Sequence, residues 1–241
     1  MDIHLPKVPH GWRELGREIG IIVIGVLIAL FFEQLAQAWD WREKVHAADK
    51  AMRVELLSDD GPEIYTDAAL HPCVVARLDA IRSAVETNAP RAQVRHLIDG
   101  LWIPFVTYDS TAYGTAEASE VGLHFDPDRL APFTTVYASM PILNEAAVVM
   151  ARDKAQLRSL RRTGGPLSSA EADRVLSTLE ALRNDIDTMW GGARFLLPEI
   201  LSLGKLDARP VNASMKAAQR QYGTCIKPLP ADFPANLPPY E

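Results

Sequence analysis

Two cysteines, Cys73 and Cys225, are all that the 241-residue chain contains. No C-x-x-C occurs and the six histidines are scattered, so a zinc site finds no support. G-x-S-x-G, H-E-x-x-H and P-loop spacings are also missing. Asp185 and Asp187 are too close in sequence to share one side of a helix. The sequence therefore offers no catalytic, cofactor-binding or metal-binding residue set. Acids and bases are interspersed at a net charge of −6, leaving no electrostatic footprint for nucleic acid and no polybasic patch for anionic lipid. Alternating apolar patterns are weak throughout, which argues against sheets.

The chain is rich in apolar helical pattern, and one stretch dominates. Ile19–Phe32 contains no charged residue and is closed by Glu18 and Glu33. At ~1.5 Å per residue it covers ~21 Å, short of a ~30 Å hydrocarbon core. A buried core helix and a signal-peptide h-region are the competing readings. Leu15, Gly16, Leu35, Ala36 and Ala38 extend the apolar character. Trp12 before the run and Trp39 and Trp41 after it fit membrane-interface anchors. No A-x-A cleavage pattern follows. We read residues 13–41 as one transmembrane helix in a bacterial inner membrane, with 1–12 as a short cytoplasmic leader. Lys/Arg counts are similar on the two sides of the span, so they leave orientation open.

Cys73 and Cys225 make either one bridge or two separate thiols. A bridge would persist in the periplasm and rarely in the cytosol. The disulfide reading and the short leader favour a cytoplasmic N-terminus and a periplasmic C-terminal domain.

Past Trp39 no Gly or Pro interrupts the pattern before Gly61-Pro62, so the span is expected to continue as helix to about Ser58. Pro62–Asn88 predicts a second helix, kinked or split by Pro72. Arg91–Leu97 predicts a short one, and Leu101–Val106 a dense apolar loop. Ser110 is placed as the cap of a helix over 111–119. A long helix is expected from Asp126 or Asp128 to about Arg162. Its inner side would include Leu130, Phe133, Val136 and Val148, with Pro132 in its first turn and a bend at Pro141. Ser168-x-x-Glu171 fits a capping box opening a helix to about Leu203, with Phe195 on its core face. Asn212–Tyr222 closes the series. Prolines 228, 230, 234, 238 and 239 predict an extended tail over 226–241. The expected fold is all-α: one membrane helix continuing into an antiparallel bundle over 42–225.

Within the span, Glu18, Ile22, Gly25, Ala29, Phe32 and Ala36 share a stripe with three-to-four spacing. Small residues there allow close helix approach, so the stripe is a candidate seam for a second copy or another membrane protein. Trp102, Trp190 and Tyr108 are candidates for lining a small-molecule pocket, with core packing as the plainer reading. Glu18–Leu30, followed by Trp39, Trp41, Arg42 and Lys44, resembles a signature of bacterial single-span membrane proteins of domain-of-unknown-function families. The Cys73–Ile81 segment and Cys225 are similar to the larger members. The resemblance implies a membrane anchor ahead of a helical domain and transfers no functional residue. The expected function is a non-enzymatic interaction or scaffold protein, such as an accessory subunit of an inner-membrane or envelope complex. The alternative is a periplasmic small-molecule sensor.

Overall fold

A computed structural model describes residues 11–159 and 165–227. Residues 1–10 of the expected leader, residues 160–164, where the long helix was expected to end, and the expected tail beyond 227 lie outside them. The fold is all-α, with no strand among the described residues. The chain divides into one compact unit ending at Ala47 and another starting at Ala48.

Helix α1 is Trp12–Val54. Among the described residues one helical stretch, Leu15–Glu86, holds a window apolar enough to cross a membrane, and none of that window is buried. Within the first unit Asp40 pairs with Lys44 one turn on, and the Lys44 ammonium lies over the Trp41 ring.

Gly61-Pro62 does not stop the helix, contrary to expectation. A π-helical turn, Glu55–Asp60, leads directly into α2, Gly61–Glu86. Asp60 and Gly61 both keep right-handed helical dihedrals. Pro62 sits at a first-turn position, where its missing N–H costs nothing. The wide turn lets the Gly61 N–H donate to Leu56 O. A Cβ at position 61 would lie 2.4 Å from that oxygen and 2.6 Å from Leu206 Cδ2, so only glycine fits. Pro72 lies inside α2 without splitting it.

The remaining helices are α3 (Arg91–Asp99), α4 (Thr111–Ala118), α5 (Pro127–Arg158), α6 (Ser169–Leu203) and α7 (Ala208–Tyr222). Helix α6 packs on both α5 and α2, and α7 packs on α2. Phe133, Val136, Met140, Leu182, Leu196 and Ile200 fill the seam. Gly192 admits Leu143 of α5, whose Cδ2 would be 2.7 Å from an added Cβ. Cys73 of α2 is bonded to Cys225, just past α7, with Cα atoms 5.8 Å apart.

The capping box at α6 has both of its bonds. Buried Arg91 reinforces it, donating to Gly165 O, Pro166 O and the Glu171 carboxylate. That pairing first, then Ser168, holds the Glu171 carboxyl down to about 2.

Several local expectations are corrected. Ser110 makes no capping bond; Asp109 Oδ1 instead accepts from Ser110 N, Thr111 N and Thr111 Oγ1. Pro127 is the first-turn proline of α5, and Pro132 lies deeper in it. Val148 and Phe195 are exposed, because the buried stripes run through Ala147 and Met150 and through Leu196 and Leu197. Helix α7 starts four residues before Asn212, capped by Asp207 accepting from Arg209 N.

Candidate functional site

Within the second unit, Leu101–Ser110 has no regular structure, so its backbone groups need partners from elsewhere. Helices α5 and α7 and the π turn supply them, and α2 holds the Tyr108 side chain. Tyr222 of α7 accepts from Trp102 N and donates to Trp102 O. Lys154 of α5 donates to Ile103 O at 2.7 Å. Asn144 of α5 accepts from Tyr108 N and donates to Tyr108 O, a two-point amide clasp. From α2, Asp67 accepts from Tyr108 Oη at 2.7 Å. Asp60, at the end of the π turn, accepts from Asp109 N.

This clasped loop roofs two adjoining hollows. The smaller, about 30 Å³, is lined by Asp67, His71, Ile103, Met150, Met189 and Trp190 among others. It is about the size of one water. His71 stacks on Trp190 at 4.6 Å and its Nε2 lies 2.7 Å from Asp187 Oδ1. Arg194 covers Trp190 at 4.8 Å. The larger hollow, about 300 Å³ and open-sided, shares Ile103, Pro104, Ala147 and Met150 with the smaller. Phe105, Ala151, Lys154, Ala155 and Arg158 complete it.

Charge is graded along this groove. At one end, burial first pushes the Asp67 carboxyl up to about 7; the Tyr108 bond opposes this and nearby Glu63 adds to it. Tyr108 is held well above its ordinary value by burial and then by Asp67, so its hydroxyl remains the donor. At the other end, burial first and then Arg158 bring the Lys154 ammonium down to about 8.

A second acidic group lies beside the π turn. Asp60 is 4% exposed, and its Oδ2 has no hydrogen-bond partner among the described residues. Burial raises its carboxyl to about 7 against the Asp109 N–H bond, with Glu55, Asp109 and Asp59 adding repulsion. Burial, then Glu55, likewise raises Tyr137. Among the described residues no three His, Cys, Asp or Glu side chains are placed to hold a metal ion.

The structure separates Trp102 from Trp190. Trp190 walls the small hollow, whereas Trp102 enters the site only through its backbone clasp with Tyr222. Lys154, Asp67, Asn144 and Tyr222 did not stand out in the sequence. Their partners are backbone atoms or residues 36 to 120 positions away, beyond any local pattern. In the first unit Ile22 is exposed and Gly25 has open space around it, as do Gly16 and Gly20. Glu18, Ala29, Phe32 and Ala36 are exposed as well. Trp12 and Trp39 are exposed and Trp41 is half-buried. No family model, curated protein or solved structure matches the chain.

Proposed function

We propose that this is a single-pass inner-membrane protein whose helical domain faces the periplasm and works by binding rather than by catalysis. One observation carries the anchor: in α1 the large apolar side chains from Ile19 to Phe32 are all about half exposed or more, and none packs into a core. Such a surface is an aggregation liability in water and is stabilised in lipid. The Cys73–Cys225 bond supports an oxidising compartment for the domain. The stripe through Glu18, Ile22, Gly25, Ala29 and Ala36 is the surface through which the span would meet a second copy or a larger envelope complex.

A reporter fused after Glu241 tests the orientation. Activity only of a reporter that needs export supports the assignment; activity only of a cytosolic reporter removes it. Gly25→Leu or Ala29→Leu is expected to break co-purification with the partner, and unchanged association would remove the seam.

A second reading, small-molecule sensing, is favoured by the clasped groove. Its apolar walls and convergent polar ends are the usual architecture of a ligand site. Native mass spectrometry of the gently purified chain is its test. A reproducible small-molecule adduct supports it, and a bare chain argues for the scaffold alone.

A further inference from the structure

We propose that the groove between the 103–105 loop and α5 binds a small amphipathic carboxylate, its apolar body on the walls and its head at Lys154 and Arg158. This rests on the small-molecule reading of the groove.

The argument begins with the cations. Lys154 and Arg158 stand one helical turn apart on α5 and both line the hollow. Burial first, and then repulsion from Arg158, ease the Lys154 proton off, and neither side chain has a carboxylate partner among the described residues. Lys154 uses one of its three N–H donors on Ile103 O. Two donors and the Arg158 guanidinium therefore remain for an anion. Burial makes the ammonium poorly hydrated, which strengthens its attraction for a negative head.

The rest of the groove selects the body. Ile103, Pro104, Phe105, Ala147, Met150 and Ala151 offer hydrocarbon and no side-chain hydrogen-bond donor. Phe105 is 60% exposed and is already at the mouth, so an apolar guest would cover it. Asp67 lines the adjoining small hollow and not this one, so Lys154 and Arg158 are the charged side chains of the lining. The volume of about 300 Å³ holds roughly ten groups of water size at ~30 Å³ each, matching octanoate with its about ten non-hydrogen atoms.

The experiment uses the full chain in lipid nanodiscs, titrated with octanoate carrying a ¹³C-labelled carboxyl and read by NMR. Empty nanodiscs define partitioning into lipid, and octan-1-ol is the uncharged control. Saturable binding of one octanoate per chain is expected. Lys154→Gln with Arg158→Gln should weaken it at least about tenfold, since removing partners of a charged pair is costly. The glutamine at 154 keeps an N–H for Ile103 O, and octan-1-ol binding should change less than about twofold. Ala151→Trp should abolish binding of both probes by filling the hollow. Octanoate uptake no greater than in empty nanodiscs would overturn the proposal. So would full affinity in the double glutamine variant, judged with helicity and melting unchanged. A native-mass adduct of another chemical class would overturn this ligand assignment while leaving the sensing reading intact; a bare chain would overturn both.

Discussion

Asp60→Asn isolates the cost of burying a carboxyl beside the π turn. Asp60 ordinarily titrates at 3.8 and in the folded protein at about 7. The folded state thus holds the proton more tightly than the unfolded chain. Between those two values unfolding releases a proton, so stability falls as pH rises. At ~1.4 kcal/mol per unit, the full effect of the roughly three-unit gap is about 4 kcal/mol. About 3 kcal/mol of this develops between pH 4.5 and 7.5. Asparagine keeps an acceptor for Asp109 N–H and carries no charge, so its contribution is flat across that range. Urea unfolding of the oxidised full chain in nonionic micelles, followed by far-UV circular dichroism, reads the difference. Other carboxyls, such as Asp67 and Glu171, titrate in both proteins and largely cancel. Asp60→Asn should gain about 3 kcal/mol on wild type as pH goes from 4.5 to 7.5. A gap that stays constant to within about 0.5 kcal/mol would show that Asp60 ionises normally and would refute the reasoning.

Removing the disulfide by Cys73→Ser with Cys225→Ser should cost about 5 kcal/mol in the chain-entropy model for so long a loop, read from urea unfolding with midpoint and slope both fitted, the slope rising as the unfolded chain expands. Gly61→Ala should destabilise by about 1–3 kcal/mol or more, because Leu56 O is backbone and cannot yield. Gly25→Ala, with nothing within 4 Å, should leave unfolding of the domain unchanged. Arg91→Met should lower stability by about 2–3 kcal/mol, since the charged bonds that tie α3 to the start of α6 are lost.

Much of the helical layout was legible because its signals are local. Ser168 and Glu171 declared the start of α6, and the apolar run of α1 needed only its composition. Helix ends were less readable. Gly61-Pro62 looks like a stop in any local window, yet the chain stays helical because the π turn shifts the hydrogen bonding to Leu56 O. Val148 and Phe195 fit a helical period as well as their neighbours do; a rotation of ~100° per residue, decided by the facing helix, put Ala147 and Leu196 inside instead. The site was mostly illegible. Trp190 was named by its type and lines the small hollow, but the clasp depends on pairs such as Tyr222 with Trp102 and Lys154 with Ile103. Only the packing of α2, α5 and α7 around the loop brings these together.

The bond between Cys73 and Cys225 also decides how the chain would carry load. If tension were applied between its two ends, force would run along α1 and the first half of α2 and cross at the sulfurs. Everything from Val74 to Thr224 would be shielded while the bond is intact. The 152-residue separation conceals roughly 530 Å of contour at about 3.5 Å per residue, which only a reductant would release to a stretching instrument.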